Sequence, residues 1–241
     1  MVKQQSADNW GSLDSKLIAL IVHELRNPLT AIRGYSDLLL QETAGALSDT
    51  QTSFVRMIHA NSNKMAELIT MLSDISRLNE GRLNFSTAPL PLDGYVEQAV
   101  EQLKPISREK SILIETTVSR RLPKVLADPI RLNQVLVHLI KNAIDYNAGD
   151  SKVELMAEGQ GNEITITIQD QGIGINKALQ AQVFMPFFRA NDLALPGVEG
   201  WGLGLSLSKM LVEHMGGKIG FESQHKEGSS FWFSLPAAQT D

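Results

Sequence analysis

The first eighty residues repeat apolar side chains at helical spacing, in two segments that a short turn separates. In the first segment the gaps alternate between three and four residues, at Ile18, Ile21, Leu25, Pro28, Ile32, Tyr35 and Leu39. The second segment repeats the pattern at Phe54, Ile58, Asn61, Met65, Leu68, Leu72 and Ile75. This heptad spacing predicts two long helices, each with an apolar seam. Ser48 and Gln51 have the spacing of a capping box, which predicts where the second helix begins.

Two helices joined by a turn at residues 44–48 predict an antiparallel helical hairpin. Its seams need more apolar cover than one pair of helices supplies. We therefore expect two copies to dimerise into a four-helix bundle. The alternative is a single hairpin that packs on the domain that follows it.

Beyond residue 91 the apolar pattern alternates between the periods of strands and helices. We predict helices at 95–110, 129–147 and 203–215, a short helix that ends at Phe184, and strands at 111–118, 125–128, 152–158, 163–170, 217–223 and 229–236. Helices on one face of a mixed, mostly antiparallel sheet form a two-layer α/β sandwich. The chain then divides into a polar edge at 1–12, the hairpin at 13–80, a linker at 81–91 and the sandwich at 92–238.

Composition excludes several classes of protein. The chain has 241 residues, of which 43% are hydrophobic, and its formal net charge is −5. That charge argues against nucleic acid as a partner. No apolar run approaches the roughly 20 residues that cross a bilayer, so we expect no membrane insertion by this segment. The absence of cysteine excludes disulfides and fits a reducing compartment, so we expect a cytoplasmic location for what looks like a piece of a longer chain.

His23 and Glu24 stand side by side in the first predicted helix. With Ile18 and Ile21 in the seam, His23 falls at the heptad position furthest from it, so an accessible imidazole lies beside a carboxylate. Pro28 lacks an N–H, which frees the carbonyl of Glu24 and bends the helix at this turn. By position alone a solvated surface histidine is the alternative, and the bend favours a reactive one.

Two glycine clusters lie where a ligand could approach the backbone, at residues 170–175 after a strand and at 200–206 before a helix. Asp170 at the strand end could accept a hydrogen bond from an exocyclic amine such as that of adenine. Asn142 lies in the middle of a helix, and its amide oxygen suits Mg²⁺. Arg189, in a lid-like loop at 185–200, could meet a terminal phosphate. The alternatives are ordinary turn glycines and a surface Asn and Arg.

Together these motifs closely resemble the catalytic core of two-component sensor histidine kinases. The matching segments are HELRNPL for the H-box, KNAIDY for the N-box, DQGIGI for the G1 box, VFMPFFR for the F-box and GWGLGL for the G2 box. They occur in the family's order across residues 13 to 238. The resemblance implies a dimerisation and phosphotransfer hairpin, followed by a Bergerat-type ATP-binding domain like those of Hsp90, MutL and gyrase.

The resemblance also implies roles for single residues. His23 matches the phosphoacceptor, Glu24 its acid/base partner, and Asn27 the residue associated with dephosphorylation of a response regulator. Asn142 matches the Mg²⁺ ligand. The residues matching the ATP site are Asn142, Tyr146, Asp170, Gly172, Gly174, Arg189, Gly202, Leu203 and Gly204. The implied function is autophosphorylation of His23 with Mg²⁺ and ATP in a homodimer, followed by transfer to an aspartate of a response regulator receiver domain.

Two positions depart from the family pattern. His138 stands where the N-box has its first Asn, and Asp145 replaces a Lys that tends to contact phosphate. A negative charge near a triphosphate should weaken nucleotide binding, by up to roughly 3 kcal/mol at ~6 Å and an effective dielectric of about 20. These departures leave open a pseudokinase scaffold, with an ATPase like Hsp90 or MutL as a further alternative.

Overall fold

The computed structural model describes residues 15–147, 149–189 and 200–238. The chain forms two compact units, Met1–Asn84 and Phe85–Asp241. The polar edge predicted at 1–12 and most of the lid predicted at 185–200 lie outside the described residues. Each unit is built around its own apolar contacts.

The first unit is a helical hairpin, as the heptad spacing predicts. Helix α1 spans Ser15–Leu40 and continues through Pro28, and helix α2 spans Asp49–Asn79. The predicted capping box is confirmed: the Gln51 N–H donates to Ser48 Oγ (3.4 Å), and the Ser48 N–H donates to Gln51 Oε1 (2.9 Å). These bonds satisfy backbone donors that the first turn of a helix leaves without partners.

The contact between α1 and α2 uses the predicted seams only at their ends distant from the turn, where Ile18 is buried and Leu72 packs against the same cluster. Elsewhere the buried positions lie one residue further along, at heptad spacing: Val22, Leu29 and Ser36 on α1, and Val55, Ser62 and Ile69 on α2. Most seam residues stay exposed, among them Ile32 at 45% and Phe54 at 60%. A helix in a bundle packs against more than one neighbour, so it needs a wider apolar stripe than a two-stranded seam. The hairpin therefore packs mainly through one edge of that stripe, and most residues of the predicted seams stay exposed to solvent.

The second unit is the predicted two-layer α/β sandwich. Its strands are β1 (Ala88–Leu90), β2 (Ile112–Val118), β3 (Val125–Ala127), β4 (Ser151–Gln160), β5 (Glu163–Asp170), β6 (Lys218–Gln224) and β7 (Gly228–Pro236). Its helices are α3 (Leu92–Glu109), α4 (Pro129–Asp145) and α5 (Gly204–His214). The main sheet has the order β2-β4-β5-β7-β6, and only β2 and β4 pair in parallel. This confirms a mixed, mostly antiparallel sheet.

The core of the sandwich lies between the sheet and the helices. Ile164, Ile166 and Ile168 alternate along β5 and are fully buried, and Phe233 pairs with Ile166 on the neighbouring strand. Leu136 on α4 is also fully buried. The alternation in the strands gives the sheet one apolar face, and helical spacing gives α4 another. These two faces pack together to form the core of the sandwich.

Two local predictions differ from the structure. Residues 88–90, predicted as linker, form β1, which pairs antiparallel with β3. Three residues that include Pro89 are too few to show an alternating pattern. The short helix predicted to end at Phe184 is only a 3₁₀ turn at Gln180–Gln182. No helix in the described part of the chain is long and apolar enough to span a membrane.

Candidate functional site

The imidazole of His23 is exposed and lies against the neighbouring carboxylate. His23 Nδ1 is 3.2 Å from Glu24 Oε1, and both side chains are 70% exposed. The predicted accessible histidine is therefore confirmed. Asn27, also exposed, follows His23 by four residues, so it lies on the same face of α1. Glu24 can hold a proton on Nδ1, which leaves Nε2 as the nucleophilic nitrogen.

Asp170 ends strand β5 and is buried. Its Oδ1 accepts hydrogen bonds from the Gly172 N–H (2.9 Å) and the Ser229 N–H (3.0 Å), and neither bond uses Oδ2. Burial raises the pKa of the Asp170 carboxyl, and these two backbone hydrogen bonds partly oppose the rise. The carboxylate is thus held rigidly by one oxygen, and the other can accept a hydrogen bond from a ligand.

The loop after Asp170 lies directly against the end of helix α4. The Ile173 N–H donates to the Tyr146 carbonyl (3.2 Å), and a Cβ at Gly172 would lie 2.1 Å from that same oxygen. No side chain fits there, so only glycine permits this approach. The contact brings Tyr146 next to Asp170. Gly174 continues the loop, against the Gln224 carbonyl.

Helix α4 carries the predicted N-box residues on one side. Asn142 and Tyr146 are half-buried and four residues apart, so they are neighbours on the helix surface. Burial raises the pKa of the Tyr146 hydroxyl; the positive charges of Arg189 and Lys141 lower it, and the charge of Asp145 raises it. Arg189, Lys141 and Asp145 therefore lie within electrostatic reach of that hydroxyl.

Asp145, the departure from the family pattern, is neutralised by two lysines. Lys110 Nζ is 2.6 Å from Asp145 Oδ1, and Lys141 Nζ contacts Oδ2. The Asp145 side chain is only 13% exposed. Lys141 is therefore engaged with Asp145.

The second glycine cluster leads into α5. Gly202 has a φ of +68°, and a Cβ there would lie 2.6 Å from the Phe188 carbonyl, so the turn requires glycine. A Cβ at Gly204 would lie 3.8 Å from the His138 ring, which places the start of α5 beside α4. Leu203 is fully buried, so its side chain belongs to the core. Any contact of Leu203 with a ligand would come from its backbone.

The structure brings Asp170, Gly172 and Tyr146 into contact, and Arg189 and Lys141 lie within electrostatic reach of the Tyr146 hydroxyl. His23, Glu24 and Asn27 belong to the other unit. Sequence reasoning missed Lys110, which lies 35 residues from Asp145 and shows no motif.

It also missed Ser223, which organises the same glycine loop from strand β6. Its hydroxyl accepts from the Ile175 N–H (2.8 Å) and lies 2.9 Å from Ser229 Oγ. A serine in an ordinary strand gives no sequence signal for this role. Among the described residues, no group of three or more His, Cys, Asp or Glu could hold a metal ion.

Two families of known domains match the chain in order. The family described as the His Kinase A (phospho-acceptor) domain matches residues 14–81. The family described as the histidine kinase-, DNA gyrase B- and HSP90-like ATPase matches residues 127–239. The two matches fall on the helical hairpin and on most of the α/β sandwich.

Two similar proteins are named as histidine kinases. The circadian input-output histidine kinase CikA of Synechococcus elongatus is 32% identical over 223 residues, which are 92% of this chain and 30% of CikA. The signal transduction histidine-protein kinase BarA of Escherichia coli K12 is 30% identical over 238 residues, 96% of this chain and 26% of BarA. The chain thus spans less than a third of the length of these two relatives.

Solved structures show the same architecture. Full-length ShkA in complex with AMPPNP superposes with a TM-score of 0.75 and 28% identity, covering 95% of this chain and 47% of ShkA. The catalytic domain of histidine kinase ThkA gives a TM-score of 0.56 and 25% identity, covering 64% of this chain and 97% of that domain. On the matched domains, the relatives and the fold, the chain belongs to the family of sensor histidine kinases.

Proposed function

We propose that this chain is the catalytic core of an ATP-dependent protein-histidine kinase, which transfers the γ-phosphoryl group of ATP to His23. The observation that carries the proposal is the exposed imidazole of His23, whose Nδ1 is 3.2 Å from Glu24 Oε1. A buried histidine could not meet a triphosphate. An exposed one without the carboxylate would have no group to fix its tautomer.

The transfer step needs one nucleophile and one proton acceptor. His23 Nε2 attacks the γ-phosphorus, so an N–P bond forms as the bond from that phosphorus to the β,γ-bridging oxygen breaks, and ADP leaves with the electron pair. Glu24 takes the Nδ1 proton, which keeps the phosphorylated ring neutral. A loose phosphoryl transition state demands mainly positioning and charge stabilisation.

The second unit is proposed as the ATP site. Asp170 Oδ2 accepts from the adenine amine, while the Gly172 backbone and Tyr146 form the adjoining wall. The turn at Gly202 and the first N–H groups of α5 meet the phosphates, where free helix N–H groups favour an anion. Arg189 supplies a cation for the terminal phosphate. The ShkA complex with AMPPNP, a structure of the same fold, supports this assignment.

Asn142 is the proposed Mg²⁺ ligand. Its half-buried amide oxygen suits a hard cation that keeps several waters and binds substrate phosphates. When bound, Mg²⁺ neutralises phosphate charge, which lowers the cost of transfer.

Two partners complete the proposal. A second copy of the chain covers the exposed seam residues of the hairpin and forms a four-helix bundle. A response regulator receiver domain takes the phosphoryl group from His23 onto an aspartate, since the N–P bond is labile. Asn27, on the same face as His23, would position water for dephosphorylation of that regulator. ATP and such receivers occur in the cytoplasm, where we expect this segment to act.

The two alternative functions are less well supported than the kinase. The pseudokinase scaffold drew its support from Asp145 and His138. The charge of Asp145 is compensated by two lysines, so it no longer argues against ATP binding. An ATPase like Hsp90 needs a carboxylate to activate water where this chain has His138.

The test is incorporation of label from Mg²⁺ and ATP labelled at the γ-phosphate. We expect wild type to gain a label that survives alkali and is lost in acid, and His23→Ala to gain none. His59→Ala is the matched control, because His59 also pairs with a carboxylate, Asp37, at 2.9 Å, but is only 28% exposed. Labelling of His23→Ala at the wild-type level, or no acid-labile label in wild type, would overturn the proposal.

A further inference from the structure

Asp145 lies among the residues assigned to the nucleotide site. It precedes Tyr146 and follows Asn142 by three residues, so all three share one side of α4 near its end. The Tyr146 backbone in turn contacts the glycine loop that follows Asp170. The charge of Asp145 acts on the Tyr146 hydroxyl together with that of Arg189, the cation proposed for the terminal phosphate.

The structure pairs that charge twice, from two different helices. Lys110, the residue that caps the C-terminus of α3, binds Oδ1 of Asp145 at 2.6 Å. Lys141, one turn earlier on α4, binds Oδ2. Both carboxylate oxygens are thus engaged, and two cations on one anion leave this cluster with a net positive charge.

The ion pair between Lys110 and Asp145 cannot be explained by neighbouring positions in the sequence. Lys141 and Asp145 are neighbours on one helix, where such a pair contributes only a few tenths of a kilocalorie in isolated helices. Lys110 comes from a separate element, and its side chain is 32% exposed where it meets the Asp145 side chain, which is 13% exposed. Charges in such partly buried places are less screened by salt than surface charges.

We propose that Lys110 is a positioning and affinity-determining residue of the ATP site: by pairing with Asp145 alongside Lys141, it gives the cluster a net positive charge, which favours the phosphates. This inference rests on the proposed ATP-binding function. Lys110 itself need not touch the nucleotide, because it acts through the Asp145 carboxylate. The departure from the family pattern at residue 145 is then balanced by a lysine on another helix.

The test compares the affinities for ATP and for adenosine in single and double variants. We expect Lys110→Met to weaken ATP binding by about tenfold, given an effective dielectric of about 20 near a protein surface, and to change adenosine binding by less than about twofold. Adding Asp145→Asn to Lys110→Met should restore ATP affinity. Lys110→Arg keeps the charge and should bind ATP like wild type.

A charge-matched control lies on the same helix. Lys104→Met also removes one lysine from α3, but Lys104 pairs with Glu101 at 2.6 Å rather than with Asp145. We expect it to leave ATP affinity unchanged.

Each other outcome decides against the inference. If Lys110→Met binds ATP like wild type, Lys110 does not set affinity. If the loss persists with Asp145→Asn, or if adenosine binding falls equally, Lys110 acts on phosphate directly or on the fold. Binding of ATP by wild type tests the proposed function separately from the role of Lys110. If wild type binds no ATP, the proposed function is refuted.

Discussion

The helical hairpin and the α/β sandwich differ in how much of their apolar surface each can bury alone. The sandwich closes a core of its own, in which Ile164, Ile166 and Phe233 are fully buried. The hairpin buries one row of residues on each helix and leaves Ile21, Leu25 and other seam residues exposed. Large apolar patches on a protein surface mark interaction sites. The difference supports the proposal that the hairpin is half of an assembly, whereas the sandwich buries its core without a partner.

The largest expected effect comes from placing a charge in the uncovered seam. Ile32→Asp should bury an unpaired carboxylate from each chain in the proposed bundle, at a cost of about 3–5 kcal/mol, and so raise the dissociation constant of the dimer by roughly a thousandfold. Light scattering at micromolar concentration measures the mass.

The matched control for the seam lies in the other unit. Ile130 on α4 is 71% exposed, so Ile130→Asp should leave the mass unchanged. If wild type is monomeric, or if the Ile32→Asp variant stays dimeric, the exposed seam is not a dimer interface. The proposed difference between the two units would then be wrong.

The next effect concerns the ligand site of the sandwich. Asp170→Asn keeps an oxygen that can accept from the Gly172 and Ser229 N–H groups, but it replaces Oδ2 by an amide donor that faces the adenine amine. We expect ATP affinity to fall by about 10- to 150-fold, as for a lost hydrogen bond to a charged group, while the dimer stays intact. Calorimetric titration with ATP measures the loss, and unchanged affinity would refute the role of Asp170.

A smaller effect tests the close approach at the glycine loop. Gly172→Ala places a methyl group against the Tyr146 carbonyl, so we expect the free energy of unfolding of the sandwich to fall by about 1–3 kcal/mol, with weaker ATP binding. Gly94→Ala on α3 is the control, since a Cβ there meets nothing within 4 Å. Denaturant unfolding of both variants measures the difference, and equal stabilities would contradict the proposed packing.

The sequence predicts best the features that depend on neighbours along the chain. The capping box at Ser48, the alternation in β5 and the strand-end position of Asp170 each follow from a few adjacent residues. The contact between α1 and α2 is less predictable, because heptad spacing locates an apolar stripe without saying which edge faces the partner helix. Strand β1 is too short to leave a pattern.

Sequence motifs do not reveal an ion pair between residues that are far apart along the chain. Asp145 alone suggests a weakened phosphate site, yet the fold brings Lys110 from the end of α3 to its carboxylate. Lys110 sits in a polar stretch with other charged residues, so nothing in the sequence singles it out. Only the packing of α3 beside α4 shows the pair.

The most direct measurement of the central claim is the location of the transferred phosphoryl group. After incubation with Mg²⁺ and ATP and digestion with trypsin at alkaline pH, mass spectrometry can examine the peptide of residues 17–26, whose only histidine is His23. The account predicts one phosphoryl group on that peptide in wild type. A phosphoryl group on a peptide that contains His59 or His225 instead, or on none, would contradict it.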